Sequence, residues 1–149
     1  MKKRLCIDPG HGGDQPGAVY GDLQEKDIVL TVAEYVVEGL NAIDPEIWVG
    51  LTRTFDQTLT LQQRCDFSNN MKVDCFASIH VNADADDDSP GMPEAKGEEI
   101  WFFKGSQEGL KLSQCLSDEV DQFFPDEPFR GIKESEGLYV LKHTNAPAC

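Results

Sequence analysis

The sequence predicts an α/β protein in which a mostly parallel or mixed β-sheet is flanked by helices on both faces. Strand and helix patterns alternate along the chain in the order β-α-β-α-β-β-α-β, which is typical of helices that cover a sheet. The segment 74–80, "DCFASIH", is an almost continuous apolar run, as expected of a strand covered on both faces. The length of 149 residues suits a single core, so we predict one domain over residues 1–149.

The first part of the chain predicts a strand, a helix and a second strand. Residues 4–8 are largely apolar and run into a glycine-rich loop. Residues 25–42 predict a helix, because apolar side chains recur at every fourth position from Ile28 to Leu40. The segment 46–52, "EIWVGLT", follows a turn and predicts the next strand.

The rest of the chain predicts two more helices and three more strands. Thr60 and Gln63 have the spacing of a capping box, in which each side chain bonds the backbone of the other residue, so a helix should begin near Thr60. The remaining predicted elements are strands at 74–80, 98–103 and 137–141 and a helix at 108–124.

One acidic segment, 82–97, is rich in proline and glycine and is predicted to be a loop. Asp84, Asp86 and Asp88 alternate as in a calcium-binding loop. The calcium template, however, needs glycine where Ser89 stands and glutamate where Ala95 stands. These mismatches favour a solvated surface loop over a calcium site.

The composition limits the classes of partner. Acidic residues outnumber basic ones by 27 to 13, giving a net charge of -14, which argues against non-specific binding to nucleic acids and against docking on an anionic membrane. Arg53 and Arg64 are expected to pair with some of the many carboxylates and to fix loops. No secretory signal follows the initial "MKKR", and no run is long enough to span a membrane.

The cysteines predict reduced thiols. There are five, widely spaced and without a CxxC pair, which disfavours a disulfide scaffold or a zinc ribbon. They are Cys6, Cys65, Cys75, Cys115 and Cys149. This composition indicates a chain made in a reducing compartment, or a domain cut from a longer secreted protein.

Two histidines follow predicted strands. His11 lies in "IDPGHGG" and His80 ends "DCFASIH", and in an open α/β sheet the carboxyl ends of parallel strands gather at one edge, where ligands bind. Glu25, at the start of the first helix, could supply an oxygen beside the two imidazoles, and two histidines with one glutamate form a catalytic zinc arrangement. The residues alone leave two alternatives open: His11 bonding only to backbone, and Glu25 only favouring the helix start. His143, in a polar turn, is interpreted as a surface histidine.

The sequence resembles the zinc-dependent N-acetylmuramoyl-L-alanine amidases of the type-3 amidase family, which are cell-wall hydrolases. The resemblance is colinear over nearly the whole chain. It rests on "IDPGHGG" (7–13), "GAV" (17–19), "LQEKDIVL" (23–30), "LTLQQR" (59–64), "DCFASIHVNA" (74–83), "GEEIWFF" (97–103), "RGIK" (130–133) and "LYVLKHTNAPA" (138–148). It implies a zinc ion held by His11, Glu25 and His80, peptidoglycan as the partner, and hydrolysis of the amide between N-acetylmuramic acid and L-alanine.

The resemblance also implies a general base. In the family, the catalytic glutamate lies shortly after an Asn-x-Pro-Ala motif, which here occupies 145–148, and the sequence ends at Cys149. Glu134 and Glu136 do not match the catalytic position. The expectation is therefore a zinc site without the family's base, last strand and terminal helix, and a chain with impaired activity.

Four further residues receive roles from the resemblance. Asn82 is expected to bind substrate amides, or alternatively to order its loop. Arg130 and Lys133 are expected to contact the peptide carboxylates or the sugar, or alternatively to be solvated charges. Glu99 is expected to orient a zinc-binding histidine, or alternatively to be an ordinary charge at a strand edge.

Two other functions stay open at this level. One is a catalytically silent domain that holds peptidoglycan in the same cleft, and the other is a different zinc peptidase, such as a carboxypeptidase. The expected site of action is the cell wall, reached either by a protein made in the cytoplasm or by a domain excised from a secreted one. The sequence leaves the oligomeric state open.

Overall fold

The computed structural model describes residues 2–82, 97–123, 125–126 and 128–149. The strands are β1 (Arg4–Pro9), β2 (Val19–Tyr20), β3 (Leu23–Gln24), β4 (Trp48–Leu51), β5 (Cys75–Ile79), β6 (Glu98–Phe103) and β7 (Phe129–Ser135). The helices are α1 (Glu25–Ile43), α2 (Leu61–Met71), α3 (Gln107–Phe123) and α4 (Tyr139–His143). The element order confirms the predicted α/β class.

A parallel sheet of order β4-β1-β5 forms the centre of the fold. Leu5 of β1 is in register with Val49 of β4 on one side and with Cys75 of β5 on the other. Residues 147–149 extend this sheet beside β5, since Phe76 N–H donates to the carbonyl of Pro147 at 2.9 Å and Cys149 N–H donates to that of Phe76 at 3.1 Å. The carboxyl ends of β1 and β5 consequently lie side by side.

A second pair of parallel strands, β6 and β7, joins the same hydrophobic core. Phe76 and Cys6 from the central sheet are fully buried, and Leu141 of α4 packs against them. Trp101 and Phe103 of β6 pack against this cluster. The core therefore ties the two groups of strands together through β6 and α4.

The structure contains all five cysteines as free thiols, as predicted. Cys6 and Cys65 are fully buried. Burial raises the pKa of the Cys6 thiol to about 12, so this side chain is protonated and packs as a small apolar group.

Helices α1 and α2 agree closely with the sequence prediction. The capping box of α2 is present, because Thr60 Oγ1 accepts a hydrogen bond from Gln63 N–H at 3.2 Å while Gln63 Oε1 accepts one from Thr60 N–H at 2.8 Å. In α1, the fully buried apolar residues are Val29 and Ala33, whereas Val32 of the predicted apolar stripe is exposed. The predicted helical period is therefore correct, but the buried face of α1 is centred on Val29 and Ala33 instead of on the repeat from Ile28 to Leu40.

The predicted strand at 137–141 is wrong. Residues Tyr139–His143 form helix α4, in which Lys142 N–H donates to the carbonyl of Leu138 at 3.2 Å. The strand of this region is instead Phe129–Ser135, which pairs with β6. Strand preference depends on a partner, and the edge of β6 is taken by β7; the helix instead places Leu141 in the core.

The third predicted helix is confirmed as α3, Gln107–Phe123, and position 124 of the prediction lies outside the described residues. The acidic segment 83–96, including the rejected calcium pattern, also lies outside them. Within the part of the chain that the structure describes, no helix has the length and apolar content needed to cross a membrane.

Candidate metal centre

The loop after β1 presents His11 in an unusual backbone conformation. His11 has a φ of 56°, in the left-handed region, and the next two residues, Gly12 and Gly13, have φ values of 124° and 57°. A positive φ is uncommon for a residue with a side chain and is kept only where the surroundings hold it. The glycines let the chain turn sharply at this point, and the imidazole projects from the strand-end edge of the sheet.

Three side chains converge at this edge. His11 Nε2 lies 3.2 Å from Glu25 Oε2, and His80 Nδ1 lies 3.0 Å from Glu25 Oε1. One nitrogen or oxygen atom from each of the three residues lies within 4.8 Å of the other two. The parallel pairing of β1 with β5 brings the histidines together, and α1 begins at Glu25 beside them.

The Glu25 carboxylate is held in place by backbone amides. Ala18 N–H donates to Oε2 at 2.8 Å and Val81 N–H donates to Oε1 at 2.9 Å. Burial alone would raise the pKa of Glu25, but these two hydrogen bonds and the nearby histidines outweigh it and lower the pKa below its usual value. The carboxylate is therefore ionised and preoriented at neutral pH.

The electrostatics around His11 favour its neutral form. Burial lowers the pKa of His11 most, the charge on Glu25 opposes that shift, and His80 and Arg64 lower the pKa further. A neutral imidazole is the form that binds metals. The cluster thus presents one fixed carboxylate between two ring nitrogens.

Two glycines shape the space around the cluster. A Cβ atom at Gly10 would lie 2.4 Å from Cε1 of His80. A Cβ atom at Gly17, which has a φ of 72°, would lie 2.5 Å from Oε2 of Glu25. The sequence pattern did not predict that Gly10 and Gly17 contact the cluster, or that the amides of Ala18 and Val81 bind Glu25. The glycines of "PGHGG" and "GAV" were the features that could have indicated it.

The two buried arginines fix the loop that carries His11. Arg64 forms the predicted ion pair with a carboxylate, since its Nη1 lies 2.7 Å from Asp8 Oδ1. Arg53 differs from the prediction because it donates to backbone carbonyls, including that of Gly10 at 2.8 Å.

The proposed substrate-binding cations lie together on β7. Arg130 Nη2 lies 3.4 Å from Glu99 Oε2, and Lys133 Nζ also pairs with that oxygen. Trp101 Nε1–H donates to the other oxygen of Glu99 at 3.0 Å. The described contacts of Glu99 are therefore with β6 and β7 side chains instead of with a histidine, and its expected role in orienting one is not what the structure shows.

The remaining candidates lie outside the cluster of His11, Glu25 and His80. Asn82 is exposed, shortly after His80 in the chain. His143 is exposed at the end of α4, where its ring stacks on Tyr139 with centroids 4.2 Å apart, in agreement with a surface role. Glu136 pairs at the surface with Lys104.

Comparisons with known proteins agree with this architecture. The profile of the Amidase_3 family, described as N-acetylmuramoyl-L-alanine amidase, matches residues 5–149. The amidase CwlM of Bacillus licheniformis is 42% identical over 145 residues, which are 97% of this chain and 53% of that protein. The endolysin of Bacillus phage SPP1 is 32% identical over 152 residues, covering 99% of this chain and 53% of its own length.

A solved structure shows the same fold. The N-acetylmuramoyl-L-alanine amidase AmiC2 of Nostoc punctiforme superposes with a TM-score of 0.85 at 29% identity, covering 99% of this chain and 77% of that one. The chain spans about half the length of the two curated relatives named above. Because the family profile covers nearly all of its residues, the chain belongs to the N-acetylmuramoyl-L-alanine amidase family.

Proposed function

We propose that this chain is the zinc-binding part of a peptidoglycan amidase that hydrolyses the amide between N-acetylmuramic acid and L-alanine. The observation that carries the proposal is the convergence of His11, Glu25 and His80 in a member of this family. Their exposure adds support: Glu25 is 3% exposed, whereas the side chain of His80 is 44% exposed. One side of the cluster is therefore fixed within the fold, and the other side is open to solvent, where a substrate can approach.

The donor set suits zinc. Two imidazole nitrogens and one carboxylate oxygen are common zinc ligands, while calcium and magnesium prefer oxygen. Ligand atoms around a tetrahedral zinc are separated by about 3.4 Å, given bond lengths of about 2.1 Å. With one donor atom taken from each residue, the three donor atoms lie within 4.8 Å of one another, so they surround a point of metal size.

The residues of this chain have defined tasks in the proposed reaction. A zinc ion held by His11, Glu25 and His80 would supply Lewis-acid polarisation of the amide carbonyl and would make a bound water molecule more acidic. Glu25, held by the amides of Ala18 and Val81, stays ionised and keeps its orientation. The exposed face of His80 leaves room for the scissile amide, and we assign contacts with the glycan or peptide to Asn82, Arg130 and Lys133.

The direction of residues 147–149 supports a general base in the segment that would continue from them along β5. These residues run parallel to β5, with Ala148 in register with Phe76. A chain that continues in this register runs toward the edge at which β5 delivers His80. A glutamate placed there would lie beside the metal centre and could accept a proton from a water molecule. This is the role that the family resemblance implies for its general base. The 149 residues by themselves are therefore expected to bind zinc and to hydrolyse peptidoglycan poorly.

The test uses this chain and a chimera that continues it with the segment following the matched region of CwlM. Zinc affinity is measured by competition with a chromophoric chelator. Purified cell walls are then digested, and new L-alanine amino termini are quantified. We expect similar zinc affinities, and a rate for the chimera that is about a hundredfold to ten-thousandfold higher, the usual effect of a general base.

Each rival function gives a different result in the same assay. Release of a terminal D-amino acid, with no new L-alanine amino terminus, would identify a carboxypeptidase. Cosedimentation with cell walls without hydrolysis by either protein would identify a binding domain. Absence of zinc binding by the 149-residue chain would contradict the proposed metal site.

A further inference from the structure

The buried side chain of Arg64 holds the backbone of the His11 loop in place. The Nη2 of this side chain donates to the carbonyl of His11 at 2.7 Å, and its Nη1 donates to that of Pro9 at 2.8 Å. Nη1 also pairs with Asp8, whose carboxylate accepts further hydrogen bonds from the hydroxyls of Thr52 and Ser78. Arg64 is thus fixed by β1 and its neighbours and in turn fixes the residue that carries the imidazole.

Arg53 connects the same loop to helix α1. Its Nε donates to the carbonyl of Pro9 at 3.0 Å, and its Nη2 donates to those of Gly10 at 2.8 Å and Lys26 at 2.7 Å. Lys26 directly follows Glu25. The guanidinium, in a residue that is 1% exposed, therefore joins the segment that presents His11 to the segment that presents Glu25.

A third connection lies on the solvent side. Lys26 Nζ donates to the carbonyl of Gly13 at 3.0 Å and to Asp56 Oδ2 at 2.7 Å. Gly13 N–H donates to Asp56 Oδ1 at 2.6 Å. The loop and the start of α1 are therefore tied together on both the buried and the exposed side.

These contacts are more than general support for the fold. Burying a guanidinium is unfavourable unless its N–H groups are hydrogen-bonded. Arg53 donates these hydrogen bonds to carbonyls at the metal-centre edge of the sheet. Two of those carbonyls, of Pro9 and Gly10, belong to the segment that leads into the left-handed His11, a conformation that needs its surroundings to hold it. A lysine could not replace this arrangement, because its compact ammonium lacks the planar fork of arginine.

We infer that Arg53, Arg64 and the Lys26–Asp56 pair form a polar clamp that sets the position of His11 Nε2 against Glu25. They are positioning residues, because they bind the backbone of the ligand-bearing segments. The consequence for zinc affinity rests on the proposed function, whereas the effect on the His11–Glu25 contact does not.

The test compares Arg53→Lys with Val73→Ala, a core substitution near the opposite, amino end of β5. Thermal unfolding of the metal-free proteins reports stability, and zinc affinity is measured at least 20 °C below the lower midpoint. We expect Arg53→Lys to weaken zinc binding about tenfold to a hundredfold, the range found for residues that orient metal ligands. We expect Val73→Ala to lower the midpoint and leave the affinity unchanged.

A second readout does not need the metal. In the metal-free protein, ¹⁵N shifts of the His11 ring report whether Nε2 remains hydrogen-bonded to Glu25. We expect this signature in the wild type and in Val73→Ala, and its loss in Arg53→Lys. If the wild type fails to bind zinc, the proposed function fails, and this readout still decides whether the clamp exists.

Asp56→Ala covers the case in which the arginine variant does not fold. Asp56 has a side chain that is 47% exposed, so its removal should leave the core intact. We expect a severalfold loss of zinc affinity and a changed His11 signature. Wild-type affinity and a wild-type His11 signature in the folded variants would overturn the inference and leave these residues with a purely structural role.

Discussion

The most direct test of the candidate metal centre is the substitution Gly10→Ala, which adds a single methyl group beside His80. The new Cβ would lie 2.4 Å from Cε1, 2.6 Å from Nε2 and 2.8 Å from Nδ1 of the ring. Ordinary van der Waals contact begins at about 3.4 Å, so the imidazole must withdraw by about 1 Å. Metal–ligand distances tolerate only about 0.2 Å.

The structure predicts a large effect on metal binding and a small one on folding. Structural zinc sites with four protein ligands bind with about 10–16 kcal/mol, so one ligand corresponds to roughly 3 kcal/mol and a loss of about a hundredfold in affinity. The ring of His80 faces solvent, so it can swing outward at a rotamer cost of about 0.5–1.5 kcal/mol. Replacing glycine with alanine also lowers the conformational entropy of the unfolded chain, which stabilises the folded state by about 0.4–1 kcal/mol.

The assay measures zinc affinity by chelator competition and stability by urea unfolding of the metal-free protein. Gly39→Ala is the matched control, because it makes the same chemical change in α1 at a position where an added Cβ meets nothing within 4 Å. We expect the control to bind zinc like the wild type and to be slightly more stable, since alanine favours a helix interior by about 0.5–1 kcal/mol.

The reasoning would be refuted if Gly10→Ala bound zinc within twofold of the wild type while remaining folded. That result would mean that His80 does not coordinate the metal, or that the ring does not rest on Gly10. An equal loss of affinity in Gly39→Ala would point instead to a general effect of glycine replacement.

Three further predictions concern pH, the acidic loop and helix α2. Burial lowers the pKa of His11 below 6.5, so His11 binds a proton more readily in the unfolded chain than in the folded one. The contribution of neutral His11 to the stability of the metal-free protein should therefore be fully present above pH 6.5 and be lost as the pH falls through the folded pKa. Urea unfolding of wild type and His11→Asn from pH 5 to 8 checks this, and parallel curves would contradict it. Replacing 84–96 with a Gly-Ser linker should leave zinc affinity nearly unchanged in the chelator assay, whereas a large loss would show that a loop aspartate coordinates the metal. Thr60→Ala removes the capping box and should lower the free energy of unfolding by about 1 kcal/mol, measured by urea titration, while Thr60→Ser should retain most of it.

The sequence by itself determined the features that depend on neighbouring residues. Helix α2 begins after Thr60 because the hydroxyl and Gln63 satisfy free backbone groups within one turn of chain. His11 and His80 were expected to meet because both follow apolar strands, and parallel strands deliver their carboxyl ends to one edge. Glu25, at the predicted start of the first helix, was a candidate oxygen ligand beside this pair, the family resemblance implied the same three residues, and the structure brings all three side chains together.

Only the tertiary structure decided the features that depend on distant partners. The segment 137–141 has strand-forming residues, yet Phe129–Ser135 takes the available edge of β6 and the later segment forms a helix. Glu99 has the charge to orient a histidine, but the cations opposite it lie on β7. Arg53 binds carbonyls of segments far apart in sequence. The local sequence pattern determines the helix period and the residues that cap a helix. The partner of a strand and the partners of a buried charge depend instead on which segments lie nearby in the folded chain.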